Sequence, residues 1–189
     1  MRIISGKAGG LKLLTPRGTN TRPTADRVKE ALFSILENAE LLHNAKVLDL
    51  FAGSGALGIE AISRGAKSCC FVDKNRQAIE AVQANLSHTG FTDFATVLRL
   101  DAEKAIQILA AKNHEFDLVL LDAPYNNGVQ GNFLKRIMSE VVRPGGTVVI
   151  ETSNRNMQIE KYDFCKLYDR RDYGDTSILF YTTEENHDL

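Results

Sequence analysis

Apolar residues recur along this chain in two alternating patterns, and the alternation sets the expected architecture. Val47, Leu48, Leu50 and Phe51 form a short run broken only by Asp49. That reads as a strand buried on both faces. Gly53 and Gly55 interrupt it, and a helical pattern resumes through Ile59, Ala61 and Ile62. The unit then repeats. Residues 67–73 read as a second buried strand ending in Asp73. A helix over 75–86 follows, with Ala78, Ile79, Val82 and Leu86 on one stripe and Gly90 marking its end. Residues 94–100 form a third strand, ending at Asp101, and 102–111 a helix. Residues 116–122 form a fourth strand ending in Asp122, and 133–142 a helix. Pro144-Gly145-Gly146 turns the chain into a fifth strand over 147–151. Residues 163–171 and 176–182 read as two closing strands about a turn at Asp172-Tyr173-Gly174-Asp175.

Upstream the pattern differs. Residues 2–5 and 11–14 flank Gly6-Lys7-Ala8-Gly9-Gly10 as a hairpin with basic residues near its tip. Pro16, Gly18 and Pro23 break residues 15–23 into a loop. Thr24 caps a helix reaching Asn38, with Val28, Ala31, Leu32, Ile35 and Leu36 on its apolar stripe. The whole predicts an α/β fold: a doubly wound, seven-stranded, mostly parallel, Rossmann-like sheet. Residues 1–38 form a small hairpin, loop and helix extension, and residues 39–189 the main domain.

Composition narrows the class. A 189-residue chain that is 43% hydrophobic builds one domain with a real core. No apolar run approaches the roughly 20 residues of a membrane span, and the N-terminus has no signal-peptide core. Three cysteines, two of them adjacent at Cys69 and Cys70, suit small buried apolar residues of a reduced cytoplasmic protein. His43, His88, His114 and His187 have no ligand spacing, so no metal is expected. Net charge is −1, but residues 1–30 carry +5 and the remainder −6. A basic arm on an acidic body points to a polyanionic partner met by the arm. Arg22, Arg27 and Lys29 cluster at a loop–helix junction, where the helix dipole disfavours cations and phosphates would favour them. The bland alternative is an ordinary solvated N-terminus.

The glycines do not by themselves name a ligand. Gly53, Gly55 and Gly58 fit G-x-G-x-x-G, and Asp73 lies twenty residues beyond Gly53, as in a nicotinamide dinucleotide site. Two features point elsewhere. A carboxylate inside a buried strand, Asp49, costs free energy unless it is paired, and its natural partner is a cationic or donor-bearing ligand. An oxidoreductase also needs a proton donor, and no well-placed His supplies one. Asp73, Asp101 and Asp122 end successive strands, where doubly wound sheets bind ligands. Each could instead cap the helix that follows it. Glu151 ends the fifth strand on the same rim, where it lines the pocket or closes the strand.

Asp49-x-Phe51-x-Gly53-x-Gly55, Asp73, Asp101 and Asp122-Ala123-Pro124-Tyr125 together resemble the amino-directed class I S-adenosylmethionine-dependent methyltransferases. In those enzymes the last motif reads Asn/Asp-Pro-Pro-Tyr/Phe, so Ala123 departs from it. The resemblance implies that Asp49, Phe51, Ala52, Gly53, Ser54, Gly55, Asp73, Asp101 and Ala102 hold S-adenosylmethionine, leaving S-adenosylhomocysteine as product. Asp49 would lie near the ammonium, Asp73 at the ribose hydroxyls and Asp101 at the adenine amine. Asp122 and the Ala123 carbonyl would accept the protons of a base amine, Pro124 would stiffen the turn and Tyr125 would stack on the base.

The N-terminal residues narrow the likeness. Arg2-Ile3-Ile4-Ser5-Gly6-x-x-x-Gly10 with Leu13, then Arg22-Pro23-Thr24-x-Asp26-Arg27-Val28-Lys29-Glu30-Ala31-Leu32-Phe33, is similar to the bacterial 16S ribosomal RNA guanine-N2 methyltransferase family (RsmD). With Tyr173-Gly174-Asp175 the likeness spans nearly the whole chain. It implies RNA contacts from Arg2, Lys7, Lys12, Arg17, Arg22 and Arg27. It also implies a guanine flipped toward Asp122 and Tyr125, and a substrate that is an assembled or partly assembled small ribosomal subunit. The rivals are an adenine-N6 DNA or RNA methyltransferase, the nicotinamide-dependent oxidoreductase, and a catalytically inert RNA-binding module.

Overall fold

The computed structural model describes residues 1–15, 23–122, 131–153 and 162–183. Strands β1 (Lys46–Asp49), β2 (Ser68–Asp73), β3 (Ala95–Arg99), β4 (Phe116–Asp122), β5 (Val142–Ser153), β6 (Lys166–Tyr173) and β7 (Thr176–Thr182) form one sheet in the order β3-β2-β1-β4-β5-β7-β6. The first five run parallel, while β7 pairs antiparallel with both β5 and β6. The order reverses direction between β1 and β4, which is the switch point where such sheets open a crevice. This is the fold of the class I methyltransferases.

Both faces of the sheet are covered, so its central strands are buried on alternate sides. Helices α1 (Pro23–Asn38), α2 (Ala56–Ser63) and α3 (Arg76–Thr89) cover one face, where Val47, Phe71, Leu118, Leu120, Val149 and Phe180 meet Phe33, Ile59 and Val82. Helices α4 (Ala102–Ala111) and α5 (Gly131–Glu140) cover the other, where Leu48, Leu50, Val72, Val119 and Ile150 meet Ile106, Leu134 and Ile137. Each such side chain contributes roughly 1.5–3 kcal/mol by leaving water. The arm does not stand off from this core. Ile3, Ala8 and Leu13 are buried in the same cluster as Phe33 and Ile59. No described helix is long and apolar enough to cross a membrane.

Element boundaries differ from the hydrophobic pattern by a few residues, and three of the differences have a local cause. Helix α1 starts at Pro23, a favoured first position, so Thr24 lies inside its first turn. Helix α5 ends at Glu140, and Val142 already belongs to β5. Pro144-Gly145-Gly146 is thus an irregularity within β5: Phe116 pairs with Val142, but Leu118 pairs with Thr147. Gly145 takes φ +72°, and a Cβ at Gly146 would lie 2.6 Å from Val142 Cγ1. Two glycines therefore let the extra residues fold tightly against the strand without ending it. Strand β6 runs on to Tyr173, leaving Gly174 and Asp175 as the turn.

Candidate active site

The glycine turn is built from both sides. Gly55 precedes α2 with φ +79° and offers the helix no side-chain cap. Asp49 does that work from nine residues upstream, its Oδ2 accepting from the Gly58 N–H at 2.9 Å. The carboxyl is only 1% exposed. Burial pushes its pKa up to about 7, the Gly58 bond opposes the shift, and Asp122 and Asp73 add to it. Gly58 lies so close to β2 that a Cβ would sit 2.3 Å from Phe71 Cε1, and one at Gly55 would meet Val82 and Ile59. Gly53 faces the other way. A Cβ there would find its nearest neighbour, the Phe51 carbonyl, 4.0 Å off. The turn is closed toward the core and open at Gly53, which suits a ligand laid across the backbone.

Strand ends β1, β2 and β4 bring Asp49, Asp73 and Asp122 near enough for the latter two to raise the first. Asp73 is half-buried and accepts from Gly53 N–H at 2.9 Å and Asn75 N–H at 2.8 Å. It therefore fixes the open glycine from the neighbouring strand. Asp101 is exposed and caps α4 through Glu103 N–H at 3.0 Å, the ordinary duty of such a residue. Ala102 is buried behind it, Ala52 is buried with its N–H on Val72 O, and Phe51 meets Phe133 edge-on at 6.5 Å. Ser54 is buried, its hydroxyl against Met1 Sδ.

Asp122 and Glu151 are register partners on adjacent parallel strands, so their side chains leave the sheet on the same face. Burial raises Asp122 above the usual carboxylate range even though the residue keeps an open surface to solvent. Burial first, and then Asp122, push Glu151 up to about 7. Two such groups titrate as a pair. Glu151 is therefore a member of the rim. Ala123, Pro124 and Tyr125, expected to follow Asp122 in the site, lie outside the described residues.

On the arm, Arg2, Lys7, Lys12 and Arg27 are exposed and none forms an ion pair among the described residues. Arg17 and Arg22 lie outside those residues. Lys29 is a correction to the expected basic cluster: it is 5% exposed, its ammonium donates to the Arg2 carbonyl, and Glu60 lies 3.3 Å away. It points into the protein and cannot grip a phosphate. Glu60, 0% exposed, also accepts from Arg64 and from the Ile4 and Ser5 N–H groups. Ser63 accepts from Lys7 and Ala8 N–H. Asn85, also 0% exposed, bonds Leu14 and Ser54. Pattern reading missed Glu60 and Asn85. The available signal was a polar residue within an apolar helical stretch, beside Ile59 and Ala61 in one case and Val82 and Leu86 in the other.

Known proteins resemble this chain over nearly its whole length. The Bacillus subtilis protein YlbH is 37% identical over 182 residues, covering 96% of this chain and 98% of its own. The Haemophilus influenzae ribosomal RNA small subunit methyltransferase D is 29% identical over 188 residues, covering 98% of this chain and 94% of its own. Among solved structures, the Escherichia coli protein yhhF superposes with a TM-score of 0.83 at 27% identity over 98% of both chains. The Thermus thermophilus 16S rRNA N2 G1207 methyltransferase (RsmC), solved with AdoMet and guanosine, shares the fold at a TM-score of 0.68 and 19% identity, over 89% of this chain and 45% of its own. The family model described as Conserved hypothetical protein 95 matches residues 1–182, and with it the chain belongs to the RsmD family of methyltransferases.

Proposed function

We propose that this methyltransferase moves a methyl group from S-adenosylmethionine to the exocyclic N2 of a guanine in 16S ribosomal RNA, within an assembled or partly assembled small subunit in the cytoplasm. The observation that carries the reading is the juxtaposition of the open glycine turn with the paired carboxylates Asp122 and Glu151. The fit to the cofactor rests on the same rim. Gly53 leaves space for backbone contact, and buried Asp49 waits for a cation or donor beside it. The ribose and adenine roles of Asp73 and Asp101 are part of this proposal, as are RNA contacts by the arm. The relative named for small-subunit ribosomal RNA, and the fold neighbour solved with AdoMet and guanosine, support the substrate class.

When bound, S-adenosylmethionine supplies a methyl carbon already activated by its sulfonium. The chain's own residues must then orient a poor nucleophile and remove a proton. The guanine N2 lone pair is delocalised into the ring. Asp122, accepting one N2–H, holds the amine so that the lone pair faces the methyl carbon. With the cofactor held at the glycine turn, N2 would take the methyl group, the sulfur would keep the electrons of its former bond to it, and N2 would have to lose one proton. A carboxylate pair with raised affinity for protons near neutrality is suited to receive it.

The test is transfer of labelled methyl groups to unmethylated small subunits. Asp122→Ala should lower the rate by about 10²–10⁴-fold, the range for a lost acid–base group, while S-adenosylhomocysteine still binds. Lost cofactor affinity in that variant would move Asp122 into the cofactor site. Label on an adenine amine would replace guanine as the target.

A further inference from the structure

Asn85 sits where the arm, the cofactor loop and α3 meet. Its Oδ1 accepts from Leu14 N–H at 2.8 Å, and its Nδ2 donates to the Leu14 carbonyl and the Ser54 carbonyl, both at 2.9 Å. One fully buried amide thereby uses its acceptor and both its donors on two segments 40 residues apart in sequence. Leu14 itself contributes little packing, being 61% exposed, so its backbone is held and its side chain is not. Ser54 lies between the two glycines whose positive φ values shape the turn. A second joint lies nearby, where the Ser54 hydroxyl meets Met1 Sδ, and Met1 O accepts from Leu13 N–H. The cation-bearing strand pair, with Arg2 opposite Lys12, is thus tied by its last residues to the backbone that would face the cofactor.

We infer that Asn85 is a positioning residue that couples the arm to the glycine loop, so that RNA held by the arm and cofactor held by the loop strengthen each other's binding. The inference rests on the proposed roles of those two surfaces. Its physical content is a shared ordering cost. Whichever ligand binds first restrains residues 1–15 and 53–55 together, and the second finds them already restrained. By linkage the effect is reciprocal: RNA must tighten cofactor by the factor with which cofactor tightens RNA. The arm is then more than an electrostatic landing site, since it also forms a back wall of the cofactor loop.

Asn85→Asp is the informative variant. It keeps the shape and the acceptor for Leu14 N–H but loses both donors, so the Ser54 tie goes while the volume stays. Asn85→Ala removes all three bonds and serves as the severe control. Two measurements on the full chain decide the matter. The first is amide hydrogen exchange without ligands. Asn85→Asp should speed exchange about tenfold at Leu14 and at Gly53 and Gly55, the equivalent of removing one net hydrogen bond, and leave Leu118–Leu121 in β4 unchanged. Faster exchange at one segment alone, or at neither, overturns the coupling. Faster exchange in β4 as well would mean that Asn85 merely supports the core, and also overturns it.

The second measurement is the affinity for S-adenosylhomocysteine with and without unmethylated small subunits. Wild type should bind it about 5- to 20-fold more tightly with the subunits, within the usual range of coupling. Asn85→Asp should show a ratio near one. Equal ratios in the two proteins, or a wild-type ratio of one, overturn the inference. If wild type binds no S-adenosylhomocysteine under either condition, the functional reading falls. The exchange experiment still decides, on its own, whether Asn85 joins the two segments.

Discussion

Asp49 holds a carboxyl where the fold alone would rather have a neutral group. Burial lifts its pKa from 3.8 to about 7, so between those values the folded protein binds a proton that the unfolded chain has released. Stability from this group is therefore full below pH 4 and is lost as pH rises toward 7. Asp49→Asn keeps an oxygen for Gly58 N–H and removes that loss. The variant should be more stable than wild type at pH 8, by about 1–3 kcal/mol, and no more stable at pH 4, as read by urea unfolding at the two values. It should also lose the thermal shift that S-adenosylhomocysteine produces in wild type, because the ammonium then has no anion to meet. A variant that is less stable at pH 8 would mean that the charged form is favoured by some other group. Glu151 allows a parallel argument. Glu151→Gln removes the group that burial and Asp122 push up to about 7, so the limb of the rate–pH profile near that value should disappear. An unmoved limb would separate the pair. Asp49's misfit inside an apolar strand was legible in sequence. Its bond to Gly58 was not, because only the packing of α2 on β1 brings residues 49 and 58 together.

At the scale of elements, α2 turns out to be the organising piece. The glycine loop leads directly into it, its Gly58 lies against Phe71, and its Glu60 and Ser63 fasten the arm. Glu60 faces two buried cations, Lys29 and Arg64. Arg64 also reaches Glu37 at 2.8 Å and stacks its guanidinium over Phe33. Glu60→Gln leaves those cations without their buried anion, which costs about 3–5 kcal/mol for a broken interior pair. Chemical denaturation should show a loss of that size, and exchange at Ile4 and Ser5 should rise with it. A loss under about 1 kcal/mol, the scale of an exposed pair, would mean that Glu37 alone suffices. The helix itself was legible from Ile59, Ala61 and Ile62, as were α4 and β7 to the residue. Lys29 was misread as a surface cation because its partner lies thirty-one residues further along the chain, on another element. The extra length of β5 was hidden too. Pro144-Gly145-Gly146 carries every local sign of a turn, and only pairing with β4 and β7 shows that the strand continues around it.

Over the whole molecule, charge is separated in a way that folding alone does not explain. Arg2 and Lys12 are directly opposed on antiparallel strands. The bonds flanking them, Ile3 N–H to Leu11 O and Leu13 N–H to Met1 O, make theirs the non-hydrogen-bonded kind of pair, in which side chains lie closest. Like charges so placed are destabilising, and neither forms an ion pair among the described residues. A polyanion is the partner that turns this repulsion into attraction. Arg2→Glu then separates stability from binding. It creates an opposite-charge pair with Lys12 and should stabilise the free protein by about 0.2–1 kcal/mol, while leaving the backbone carbonyl that Lys29 uses. The same variant should bind 16S rRNA more weakly and flatten the log–log dependence of affinity on salt by roughly 0.7–0.9 for each phosphate that is no longer neutralised. Thermal unfolding and a salt titration of RNA binding, run on the same preparation, should therefore move in opposite directions. If stability rises and the salt slope stays as in wild type, the arm is a solvated N-terminus and the RNA must be gripped elsewhere. If both fall, Arg2 has a structural bond that outweighs its repulsion from Lys12. Only a gain in stability joined to a shallower slope fits an arm whose charges are arranged for phosphate.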